Sequence, residues 1–160
     1  MTARQLILMA GAGSVALLLG AYAFQALGYA PCKMCLWQRW PHLAAVAFAG
    51  AAVFVAPRPL AWLGAAAAVT TAGIGLFHTG VERGWWEGPS SCSGTGAGLG
   101  GLSGSDLLSL DAPRLVMCDQ VSWQLAGLSM ASWNAILSLA LAAVWVTAAL
   151  RAQEGDVSVW

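Results

Sequence analysis

Apolar residues run almost unbroken from about Gln5 to Gly28, resume from Leu43 to Ala56, return from Leu60 to about Gly80, and end with a run from about Met130 to Leu150. The first run is ample to cross a hydrocarbon core of ~30 Å. The second is short, but a helix starting near Leu36 gains enough length to cross. The expected spans are therefore 5–28, 36–56, 60–80 and 130–150. Pro41 either kinks the second helix or marks its first turn, and Pro57-Arg58-Pro59 is a tight turn that cannot continue it. Arg4 and Ala21-Tyr22-Ala23 would also suit a cleaved signal peptide. The first run exceeds the usual ~7–15-residue apolar region of such a signal, so it reads as a span. Gly11, Gly13, Ser14, Ala16 and Gly20 would let a neighbouring helix approach closely.

Composition strengthens that picture. Of 160 residues, 59% are hydrophobic and only 9% charged, with a formal net charge of +0. A soluble domain carries roughly a quarter charged residues, so this surface must be solvated mostly by lipid. The expectation is an all-α integral membrane four-helix bundle, a single membrane domain over 1–160. No basic stripe suggests nucleic acid. Polar positions gather in two loops, 29–35 and 81–129. The longer contains Gly94, Gly96, Gly98, Gly100, Gly101 and Gly104, and its Leu99, Leu102, Leu107, Leu108 and Leu110 suit a short interfacial helix. Trp85, Trp86, Trp123 and Trp133 flank it as interfacial anchors.

The four cysteines, Cys32, Cys35, Cys92 and Cys118, all fall in these loops. An even number of loop cysteines fits disulfides, which persist on the oxidising side of a membrane. A c-type haem site needs His directly after the second Cys, where Leu36 stands. A four-thiolate metal site wants a second close pair, and Cys92 and Cys118 are far apart in sequence, so no metal is expected. A redox-active dithiol at Cys32 and Cys35 remains the leading reading. If a helix begins at Cys35, its N-terminal partial positive charge favours a thiolate there. A Cys92–Cys118 bond would be worth about 3 kcal/mol as a mere staple, but a glycine-rich loop suits a thiol that changes partners better than a fixed scaffold.

Arg39 and His42 follow Cys35 at i+4 and i+7, on one helix face. A guanidinium there either stabilises a thiolate or a reduced acceptor's oxygen, or snorkels to lipid phosphate. His42 reads as an interfacial polar residue. His78 closes the third span with Glu82 at i+4, as a proton carrier or a plain polar helix end. Two spans separate the cysteine-bearing loops, so both must face one compartment. Arg4, Arg58 and Arg151 mark one side, and Lys33, Arg39, Arg83 and Arg114 the other, leaving the positive-inside count even. Cysteine chemistry breaks the tie: all four cysteines outside, both termini in the cytoplasm.

Taken together, Pro31-Cys32-x-x-Cys35-x-x-x-Arg39, His78-Thr79, Cys92, Cys118 and Met130 resemble the bacterial disulfide bond formation protein B (DsbB) family, in order and over essentially the whole chain. Gln38-Arg39-Trp40-Pro41, Gly84-Trp85-Trp86 and Ser129-Met130-Ala131-x-Trp133-Asn134 look like an alphaproteobacterial-type branch. The resemblance implies an inner-membrane, multi-pass oxidoreductase that reoxidises the periplasmic thiol oxidase DsbA and passes two electrons to a membrane quinone, ubiquinone by preference. It implies that Cys92 forms the mixed disulfide with DsbA, that Cys118 is its loop partner, and that Cys32 exchanges with the loop pair. Cys35 would contact the quinone with Arg39 beside it, and His78 and Met130 would line the pocket. Gln38 stands where the best-known members carry Glu. DsbA lies near about −120 mV against roughly −200 mV for a glutathione-buffered compartment, a gap of ~80 mV or about 3.7 kcal/mol per dithiol, so a stronger acceptor is required. The rival functions are a vitamin K epoxide reductase-like thiol/quinone oxidoreductase and a non-catalytic, disulfide-stapled membrane scaffold.

Overall fold

A computed structural model describes residues 1–89, Cys92 and 116–157, with side chains as far as 153. The interfacial helix expected around Leu99–Leu110, and Arg114, lie outside the described residues. Four long helices dominate: α1 (Ala3–Ala26), α2 (Lys33–Ala51), α3 (Pro57–Glu82) and α4 (Met130–Val157). Each helix packs on the next, and α4 closes the ring on α1 while α1 barely touches α3, so the four form a bundle with α1 and α3 on a diagonal. Among the described residues α1, α3 and α4 are long and apolar enough to cross a membrane. α2 is shorter and carries Gln38, Arg39 and His42 in its first half.

Local chemistry sets the boundaries. Thr2 and Gln5 close a reciprocal capping box at the start of α1. Gly28, at φ +98°, turns the chain out of α1, and Cys32 caps α2. That helix begins at Lys33, earlier than expected, so Pro41 sits inside it. The Pro57-Arg58-Pro59 turn is also the first turn of α3, where a proline's missing N–H costs nothing. One small departure from an all-α chain precedes α4. Gln124–Leu125 (β1) and Leu128–Ser129 (β2) pair antiparallel around Ala126 and Gly127, whose positive φ angles of 53° and 75° suit a tight primed turn. Ser129 then accepts from the Ser132 N–H and starts α4.

The bundle interior is built from small side chains around one large one. Ile7, Ala10, Ala45, Ala49, Ala61, Ala65, Ala68, Ala148 and Ala149 surround the fully buried Trp145. Gly64 lies flat under the Trp145 ring, and Gly11 meets Ala49, so helices approach at distances a larger residue would forbid. Large apolar side chains such as Leu19, Phe54 and Val69 instead point outward, as lipid-facing surfaces require. This tight packing belongs to the end carrying the α1 N-terminus and the α2–α3 turn. At the opposite end the helices enclose a cavity, and the cysteines gather there.

Candidate functional site

Cys32 is the N-cap of α2: its backbone is extended and its Sγ accepts from the Cys35 N–H at 3.2 Å. The sulfur is thus held at the helix's positive end. That end falls to Cys35 only if the helix begins there; the earlier helix start gives it to Cys32. The two sulfurs are in hydrogen-bond contact at 2.9 Å, both as free thiols, with Cys32 buried and Cys35 partly exposed. His78, from the last turn of α3, brings Nε2 to 3.5 Å from Cys32 Sγ. Glu82 lies one turn further, 3.9 Å from the same nitrogen.

Cys92 and Cys118 form a disulfide. The Cys118 N–H donates to the Cys92 carbonyl at 2.8 Å, which draws the two loop segments together. All four cysteines belong to one apolar cluster with Met34 and Val81. Cys32 Sγ, a His78 ring nitrogen and Cys118 Sγ lie within 4.8 Å of one another. Three such atoms resemble a metal triad, but the Cys118 sulfur is committed to a disulfide and offers no thiolate. What the arrangement supplies is a nucleophilic sulfur beside a disulfide sulfur.

The hydrogen bond from Cys35 holds the Cys32 thiol well below its ordinary range, His78 adding to the effect and burial opposing it. Cys35 is pushed the other way, first by its hydrogen bond to Cys32 and then by burial. In the reduced pair the thiolate therefore belongs to Cys32. A lowered pKa means that the charged form persists as pH falls below neutrality. Thiolate absorbance of the reduced protein should accordingly retain one thiolate per molecule at pH 6, absent when Cys32 is replaced by Ser. Loss of all thiolate signal by pH 7 would contradict this.

A cavity of about 320 Å³ opens beside Cys35, between α1, α2, α4 and the hairpin. Its wall is mainly apolar, with Leu17, Phe24, Met130 and Leu137, and a few polar groups converge on it: Cys32, Cys35, Gln38, Arg39, His42, His78 and Glu82. That volume and chemistry suit a mainly apolar molecule with a few polar groups. Arg39 lies over the Tyr22 ring and donates to Gln25 Oε1 at 3.0 Å, leaving its Nε buried without a partner among the described residues. Every residue expected at the pocket, Cys35, Arg39, His78 and Met130, lines this cavity.

Sequence reasoning missed a polar network across the bundle. Gln38, Thr71, His78, Asn134 and His42 are joined by hydrogen bonds of 2.7–3.1 Å. His42 is not at an interface: it is 3% exposed and bonded to Asn134. The available signal was polar side chains one turn apart within apolar spans, Gln38 with His42 and Asn134 with Ser138. Such groups in lipid must find partners.

The family model described as "Disulfide bond formation protein DsbB" matches residues 3–148. A disulfide bond formation protein B of Polaromonas sp. is 26% identical over 146 residues, covering 88% of this chain and 87% of that protein. No solved structure gives a significant match.

Proposed function

The chain belongs to the DsbB family of disulfide bond formation proteins, and from that premise we propose that it is a quinone-dependent thiol oxidase serving a DsbA-type periplasmic partner. One observation carries the reading. Cys32 Sγ stands between the Cys118 sulfur of the loop disulfide and Cys35, which opens onto an apolar cavity.

A thiolate of the partner attacks Cys92, the Cys92–Cys118 bond breaks, and Cys118 leaves as a thiolate. Cys118 attacks Cys32 of an oxidised Cys32–Cys35 pair, and Cys35 leaves with the electron pair. The partner's second thiol then releases Cys92. Once Cys32 is bonded to Cys118 it carries no charge, so the chief influence raising Cys35 is gone. Cys35 is then the thiolate facing the cavity. Cys92 then attacks Cys118, which re-forms the loop disulfide and frees Cys32, and a quinone bound beside Cys35 would take up the two electrons and two protons released as the Cys32–Cys35 bond re-forms. Arg39, whose Nε is buried without a partner among the described residues, would offer charge-assisted donors to the quinone oxygens, and His78 holds a proton beside Cys32. Cys92 is only 2% exposed, packed with Val81 and Cys118, so the partner must open this packing to reach the sulfur.

In the same reading the chain is of the alphaproteobacterial-type branch, ubiquinone is the acceptor, and the protein lies in the inner membrane with its cysteines periplasmic. The start of α2, the end of α3 and the four cysteines gather at one end of the bundle, so a membrane-impermeant thiol reagent added from outside should label all four reduced cysteines. A cysteine introduced at Arg58, in the opposite turn, should stay unlabelled; the reverse pattern would invert the orientation. The function is tested by mixing purified protein, reduced DsbA and a soluble quinone, and following quinone absorbance. Stoichiometric loss of quinone with oxidation of DsbA is expected. Disulfides that resist reduced DsbA and ignore quinone would return the protein to a stapled scaffold.

A further inference from the structure

The polar network fixes which way each of its members points, starting from two backbone carbonyls that can only accept. The Gln38 carbonyl takes the Thr71 hydroxyl hydrogen at 3.1 Å. Thr71 Oγ1 must then accept from its other neighbour, which sets Asn134 Nδ2 toward it at 3.1 Å and also toward Gln38 Oε1 at 2.7 Å. Asn134 Oδ1 is thereby left facing His42 Nε2 at 3.0 Å, so that nitrogen carries the hydrogen. The Met34 carbonyl independently anchors Gln38 Nε2 at 3.2 Å, in agreement with the Asn134 bond to Gln38 Oε1. The same amide nitrogen donates to His78 Nδ1 at 3.0 Å, which puts the His78 hydrogen on Nε2, toward Cys32.

One atom is left over. A neutral imidazole carries one hydrogen, so His42 Nδ1 is a bare lone pair. It is buried, has no partner among the described residues, and belongs to a residue 97% buried that lines the cavity. His42 lies seven residues beyond Cys35 on α2, roughly 10 Å further along the helix. A buried acceptor of this kind calls for a ligand that brings a hydrogen. A quinone oxygen brings only lone pairs, whereas the quinol hydroxyl brings the hydrogen required.

We infer that His42 Nδ1 accepts a hydrogen bond from a hydroxyl of the reduced quinone, making the cavity selective for quinol at the end remote from Cys35. Asn134 is the positioning residue, because its Oδ1 holds the His42 hydrogen on the opposite nitrogen. The site then stabilises the product of the proposed reaction over its substrate, which favours electron transfer out of the cysteines. This rests on the quinone reading above.

The test compares dissociation constants of a decyl-tailed ubiquinone and of its quinol for the wild-type protein and His42→Leu in detergent. Loss of one neutral hydrogen bond should weaken quinol binding roughly 2- to 12-fold and leave quinone binding within about twofold. Equal weakening of both forms, or of neither, would overturn the inference while leaving the quinone reading intact. Binding of neither form to the wild-type protein would overturn both. The imidazole ¹⁵N spectrum of the wild-type protein gives a readout that needs no variant: the Nδ1 resonance should move upfield with quinol and stay in place with quinone. An Nδ1 signal unmoved by bound quinol would also overturn the inference.

Discussion

Replacing Cys92 and Cys118 together by serine should reduce thiol exchange with a DsbA-type partner to background while leaving Cys32 and Cys35 oxidisable by quinone. Removing both loop sulfurs matters because of the geometry. A lone Cys118 thiol would remain within 4.8 Å of Cys32 and capture it, confounding the second half-reaction. With neither present, the partner has no accessible disulfide to attack, since Cys32 is buried. The Cys32–Cys35 contact, the His78 hydrogen bond and the cavity lining include neither loop sulfur. Separate assays of DsbA oxidation and of quinone reduction by the prereduced variant check this. Equal loss of both half-reactions would mean that the two pairs do not act in series.

The second large effect is expected at Gln38, a residue 6% exposed. Leucine fills a similar volume but strands the Asn134 amide hydrogen and the His78 Nδ1 lone pair. A buried polar group left unmade costs about 1–3 kcal/mol, so two together should cost roughly 2–6 kcal/mol. Denaturation of Gln38→Leu in detergent micelles should show a loss of that order. The variant also releases the His78 tautomer, and the Cys32 thiolate should consequently disappear at higher pH than in the wild-type protein. Unchanged stability with an unchanged thiolate titration would show that the network is ornamental.

The apolar runs made the helices legible, because membrane spans must satisfy their backbone internally and be apolar over their whole length. The starts of α1 and α3 fall within three residues of expectation, but the second helix was harder. Its first half is polar, and the cap that begins it is a cysteine sulfur, which no ordinary capping pattern announces. That shift of three residues moved the helix N-terminus, so that Cys32 rather than Cys35 stands at the cap. The residues carried by a motif are expected at one pocket, and Cys35, Arg39, His78 and Met130 all lie on the cavity wall. The network was not foreseen. His42 and Asn134 meet across the bundle's diagonal, and nothing local to either residue reveals a partner on a distant helix. Gln38 was noticed only as a departure from Glu, although an amide can donate to His78 and accept from Asn134 at once, which a carboxylate cannot.

The central claim is that Cys32 is the transfer point between the loop disulfide and the sulfur at the cavity. Replacing Cys35 with serine leaves Cys32 with no neighbouring thiol, and its sulfur then faces Cys118. The exchange is an isomerisation: the Cys32 thiolate attacks Cys118, the Cys92–Cys118 bond breaks, and Cys92 is released as a thiol. Peptide mapping of the alkylated Cys35→Ser protein by mass spectrometry should find a Cys32–Cys118 linkage with Cys92 alkylated. An intact Cys92–Cys118 bond with Cys32 free, or a Cys32–Cys92 linkage, would contradict the account.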